Sequence, residues 1–153
     1  MKLSAVVSVI LATLAGGCLG HPFVAPAPVQ LRSKRPPSQV VQLATQRLTA
    51  DGFTIPTENP QYGVVVGSRT RPVSAQAGAI KCRFPSKAPQ WHDAQSTLQI
   101  TVVADSVDAG SNVSIAARSV TDYSALPAPY QRQTSITDCV STDQIETALK
   151  KLF

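Results

Sequence analysis

Apolar and polar positions recur with two different periods along this chain, and each change of period marks an element. Val41, Ala44 and Leu48 fall three and four apart, with Val40 beside them. That spacing predicts one apolar face of a helix. Ser38 is its expected N-cap, and Gly52, which takes left-handed backbone cheaply, its expected stop. Phe53 and Ile55 then alternate as a short strand that Pro56 should end. Asn59 and Pro60 read as a turn, and residues 62–68 as a β-branched second strand. Residues 79–84 read as a third strand carrying Cys82, followed by a polar loop over 85–95. Leu98, Ile100, Val102 and Ala104 alternate with polar or smaller partners, which predicts a half-buried strand. Gly110 marks a turn, after which Val113, Ile115 and Ala117 supply an antiparallel partner running toward Val120 or Tyr123. Residues 124–133, with Pro127 and Pro129, read as a loop. Ser141 and Gln144 have capping-box spacing, and Ile145, Ala148, Leu149 and Leu152 then share a helix face. Lys150 and Lys151 stand in its last turn, where cations complement the helix dipole. The expected class is α+β: an N-terminal helix, an antiparallel sheet of four to five strands, and a C-terminal helix packed on one face.

The start of the chain follows another pattern. Lys2 precedes an apolar run over residues 3–15, and Gly16 and Gly17 follow it. This is the layout of a secretory signal, too short for a spanning helix of ~20 residues. The segment Leu14, Ala15, Gly16, Gly17, Cys18 resembles a bacterial lipobox, where a diacylglycerol thioether is made on the cysteine. Leu is usual three places before that cysteine; here Ala15 stands there and Leu14 lies one step further out. The alternative is a secreted chain cut near Gly20 or His21, with Cys18 discarded. Lys34 and Arg35 also form a dibasic pair, which in a fungal secreted protein would mark propeptide cleavage. All these readings export the chain; they differ on the anchor.

Residues 19–37 hold five prolines and no evident apolar period. Such a stretch favours extended polyproline backbone, so the expected organisation is a signal peptide at 1–17, a lipidated cysteine and Pro-rich linker at 18–37, and one domain at 38–153. At ~3.1 Å per residue this linker would reach ~60 Å. Charge follows the same division. The chain carries a formal net charge of +5, yet all nine acidic residues lie after position 36, and the domain alone is near neutral. Nucleic-acid binding needs cations clustered on a folded face, so no nucleic-acid partner is expected. Arg32, Lys34 and Arg35 read either as a juxtamembrane cluster near anionic headgroups or as a solvated linker.

Residues 38–55, followed by the strand at 62–68, resemble the small periplasmic domains of bacterial envelope lipoproteins. The closing stretch from Cys139 is similar to the ending of uncharacterised lipoproteins of this size. A fold-level likeness links the chain to the helix-grip domains of BamC, a component of the outer-membrane assembly machine. The resemblance spans residues 38–68 and 96–153 and carries over no catalytic residue. It implies outer-membrane placement, since Leu19 follows Cys18 where an Asp would signal inner-membrane retention.

Cys82 and Cys139 are the domain's two cysteines, and in an oxidising compartment such a pair is expected to bridge. Closing so long a loop is worth ~4 kcal/mol in a chain-entropy treatment. The alternative, a redox pair, lacks the Cys-x-x-Cys spacing that lowers a thiol pKa. Metal binding would have only His21 and His92 to add to the thiols, so no metal or other cofactor is expected. Trp91, His92 and Asp93 place an aromatic, a base and a carboxylate together, but no Gly-x-Ser-x-Gly elbow accompanies them. Glu58 and Glu146, the two glutamates, have no evident partner for glycosidase chemistry. Asn112 with Ser114 matches a glycosylation sequon, relevant in a eukaryotic host. The resulting expectation is a membrane-anchored, non-catalytic envelope lipoprotein. It would hold the bilayer through Cys18 and act in the periplasm as a binding or scaffold module, with an envelope protein as its candidate partner. The alternative is a freely secreted small enzyme or effector using the Trp91, His92, Asp93 loop.

Overall fold

The computed structural model of the chain describes residues 26–83, 89–128 and 139–153. The signal segment, Cys18 and the second half of the 124–133 loop lie outside the described residues. Among the described residues, seven strands and two α-helices follow in the order β1 (Val29–Ser33), α1 (Pro37–Ala50), β2 (Thr54–Asn59), β3 (Val64–Pro72), β4 (Ile80–Cys82), β5 (Gln95–Val107), β6 (Gly110–Asp122), β7 (Cys139–Ser141) and α2 (Gln144–Lys150). Five strands form an antiparallel sheet in the order β1-β6-β5-β3-β2, and β4 pairs with β7 in a second, two-stranded sheet. The α+β class therefore holds.

Strands β5 and β6 are the spine. Thirteen residues long each, they pair along their whole length from Gln95↔Asp122 to Val107↔Gly110. The two-residue period sends Leu98, Ile100, Val102, Val113 and Ile115 to one face, where all are fully buried. The other face carries polar ladders: Thr70 Oγ1 lies 2.8 Å from Thr97 Oγ1, and the Gln30 side chain donates to Ser114 Oγ at 2.9 Å. Helix α1 packs on the apolar face over β2, β3 and β5, while α2 sits over β6 and β1. Val40, Val41, Ala44 and Leu48 are the buried stripe of α1. Gly67 of β3 lets this helix approach, because a Cβ there would stand 3.0 Å from Leu48 Cδ1.

Four local expectations are corrected. Residues 29–33, read as part of the linker, form edge strand β1 and pair with β6 from Val29↔Ile115 to Ser33↔Ser111. Val29, Leu31 and Ser33 alternate inward there, a short strand period hidden by the prolines at either end. The segment is also tied by side chains: Arg32 Nη2 donates to the Asp108 carbonyl and Ser33 Oγ to the Phe153 carbonyl. Helix α1 starts at Pro37 with Pro36 as its cap, not at Ser38, since a proline in the first turn has no N–H to leave unsatisfied. Pro56 does not stop β2. It sits where the β2–β3 register shifts on an edge strand, a place where a missing N–H breaks no ladder.

The fourth correction concerns the start of α2. Ser141 lies in β7 and makes no capping box with Gln144; the cap residue is Asp143, at φ 63°. Ser141 Oγ instead donates to Glu146 Oε2 at 2.9 Å and accepts the Asp143 N–H at 3.2 Å. That bond gives Glu146, only 2% exposed, the partner a buried carboxylate requires. Cys82 and Cys139 are bridged, and they stand opposite each other in the small sheet. The bridge therefore joins β4 to β7 just before α2.

Candidate functional site

Sequence adjacency had brought Trp91, His92 and Asp93 together, but the fold sends them apart. They occupy a short 3-10 turn over Pro89–Asp93. Trp91 turns inward, its ring centroid 5.5 Å from that of the fully buried Tyr123. His92 and Asp93 are exposed. His92 borders a hollow of about 160 Å³ with Val73, Ser74, Ile80 and Cys82. Asp93 does not line it.

A larger feature lies between the helices. Two short elements and two long ones build a cleft of about 330 Å³ on the apolar side of the sheet. The end of α1 contributes Arg47 and Asp51, and β3 contributes Arg69 and Arg71. The 3-10 turn Val73–Gln76 adds Gln76, and α2 adds Gln144 and Ile145. The strand period explains the two arginines of β3. Val65, Gly67, Arg69 and Arg71 share one parity, opposite Val102, Ile100, Leu98 and Ser96 of β5. The arginines thus continue the core-facing side of β3 beyond the point where α1 ends.

Each cationic group is positioned differently. Arg47 Nε and Asp51 Oδ2 form an ion pair at 2.9 Å, one helical turn apart. Arg69 Nη1 donates to the Asp51 carbonyl at 2.8 Å, and its guanidinium carbon lies 4.5 Å from the centre of the Phe53 ring. A cation over an aromatic face is attracted by the ring quadrupole. Burial pushes the Arg69 pKa down, Arg71 adds like-charge repulsion, and Asp51 opposes both. The group still carries its charge at neutral pH, as arginines do. Arg71 Nη2 lies against Gly52, only 2.7 Å from where a Cβ would stand. Gly52 also has φ +78°, so two independent constraints keep a side chain out of that position.

Two buried polar atoms at the cleft have no hydrogen-bond partner among the described residues: Arg69 Nε and Gln76 Oε1. Gln76 is only 2% exposed. Its amide nitrogen is used, donating to the Ser96 carbonyl at 2.6 Å and the Arg71 carbonyl at 3.3 Å. Both atoms have almost no accessible surface, so they lie beneath the cleft's lining and not on it.

No protein-family model matches the chain, and no curated protein matches it. Among the described residues, no group of three His, Cys, Asp or Glu side chains could hold a metal, and no helix is long and apolar enough to cross a membrane. Residue pattern alone had not selected the cleft. Its signal was present in the inward parity of Arg69 and Arg71 with Val65, and it was obscured because Ser68 and Thr70 make that stretch look uniformly polar.

Proposed function

We propose that this chain is an exported, membrane-anchored envelope lipoprotein whose domain is a non-catalytic binding module. It is tethered to the outer membrane through a lipidated Cys18 and works in the periplasm. The observation that carries the binding role is the arginine-lined cleft. The lipobox-like sequence before Cys18 supports the anchor. The Cys82–Cys139 bridge supports an oxidising compartment. The likeness to BamC-type helix-grip domains belongs to the same proposal, supported by a long helix laid across an antiparallel sheet.

Strand β1 changes the geometry of the tether. Val29 enters the sheet eleven residues after Cys18. Even fully extended, at ~3.6 Å per residue, that stretch reaches only about 40 Å. The domain then works close to the bilayer, and any partner must come within that distance. The test is the intact mass of the mature protein purified without reductant. The expected result is a diacylglycerol thioether on Cys18 with two hydrogens missing for the bridge, and Cys18→Ser should move the protein from the membrane to the soluble fraction. An unlipidated chain starting near His21 or Pro36 would make this a freely secreted protein.

A further inference from the structure

The cleft has a chemical polarity of its own. Among the described residues three guanidinium groups line it, against a single carboxylate, Asp51, whose Oδ2 is already engaged by Arg47. At Arg69, burial and like-charge repulsion from Arg71 both work against the charge. An anion entering the cleft would offset that repulsion. Arginine forks suit oxyanions in particular, because a guanidinium presents paired N–H groups that match two oxygens of a carboxylate or phosphate.

Gln76 does not constrain the ligand: its amide nitrogen is held by the Ser96 and Arg71 carbonyls, and its Oε1, like Arg69 Nε, has almost no accessible surface. The guanidinium groups set the ligand's chemistry. We propose that the cleft binds a small oxyanion, of the phosphate or carboxylate kind. A volume of about 330 Å³ accommodates more than the ion itself, so the oxyanion is the recognised end of a small molecule. This names the ligand class for the binding module proposed above and rests on that reading of the cleft, but not on the anchor.

The experiment is calorimetric titration of the mature, disulfide-bonded protein with four probes at neutral pH: inorganic phosphate, sulfate, glycolate and acetate. The first two are tetrahedral oxyanions and the last two are carboxylates. The expected result is saturable binding of at least one probe. A tetrahedral ion outranking both carboxylates identifies a phosphoryl or sulfuryl ligand, and the reverse identifies a carboxylate. Arg71→Gln should weaken the preferred probe by tenfold or more. Arg71→Lys, which keeps the charge but not the fork, should fall between. A second variant, Arg47→Gln on the exposed side of α1, guards against misfolding of the first and should also weaken binding. No saturable binding of any probe would overturn the proposal, as would unchanged affinity in both glutamine variants. A negative titration beside a lipidated mass would remove this ligand class and leave the anchored protein standing.

Discussion

Two regions of this molecule gather polar side chains, and they do so in opposite ways. At Trp91, His92 and Asp93 the groups are neighbours in sequence, and the 3-10 turn divides them between core and solvent. At the cleft, Arg47, Arg69, Arg71 and Gln76 come from three elements and converge on one space. Of Trp91, His92 and Asp93, one turns to the core and two to solvent, so adjacency by itself builds no site. Residues two apart on a strand point the same way, and a helix end or a turn can close over them. In the first region Trp91 packs against the core, and the second is where ligand binding is proposed.

The largest expected effect tests how far the two regions depend on one framework. Cys82 borders the His92 hollow, and β4, which carries it, follows directly on the turn that supplies Gln76. Replacing both cysteines with serine should cost about 4 kcal/mol of stability, measured by denaturant unfolding, because the bridge closes a long loop. Trp91→Ala comes next. The ring packs against Tyr123 and the core, so its removal should cost about 3 kcal/mol. His92→Ala, one residue on, should shift stability by no more than about 0.5 kcal/mol and leave anion binding unchanged. A large effect of His92→Ala on binding or on any activity would break the contrast between anchor and site.

Gly52→Ala sharpens the comparison from the cleft side. The left-handed backbone and the neighbouring Arg71 guanidinium both resist a methyl group there. A stability loss of about 1–2 kcal/mol is expected from the backbone. Displacement of Arg71 should also weaken phosphate binding, which separates this variant from Trp91→Ala. The smallest effect lies at the end of β6, at the exposed Asp122. The backbone N–H of Ser124, and then its hydroxyl, hold the Asp122 carboxyl below its ordinary value of 3.8. Its folded pKa is depressed, so its contribution to stability is present above pH 3.8 and disappears as pH falls through the lower folded value. Asp122→Ala should therefore leave an acid unfolding curve slightly flatter below pH 4, with no change in anion binding.

The helices and long strands were legible in the sequence wherever an apolar period ran uninterrupted. Val40, Val41, Ala44 and Leu48, and the alternation of β5 and β6, lie where the pattern placed them. The misses share a cause. In β1 the period covers five residues between prolines, too short to stand against a linker-like composition. At Ser141 the spacing of a capping box was present, but pairing with β4 drew the serine into a strand and gave its hydroxyl to Glu146. The disulfide was legible from cysteine count and compartment, whereas the small sheet it sits in was not. The cleft was least legible, because it depends on where α1 ends relative to β3, and local pattern does not encode that distance.

The central claim is that ligand binding belongs to the cleft and not to the Trp91 turn. It is tested most directly by following backbone and arginine side-chain resonances of the ¹⁵N-labelled protein while inorganic phosphate is added. The expected result is saturable shifts at Arg47, Arg69, Arg71 and Gln144, with His92 and Asp93 unmoved. Saturable shifts centred on His92 and Ser74, with the arginines silent, would contradict it.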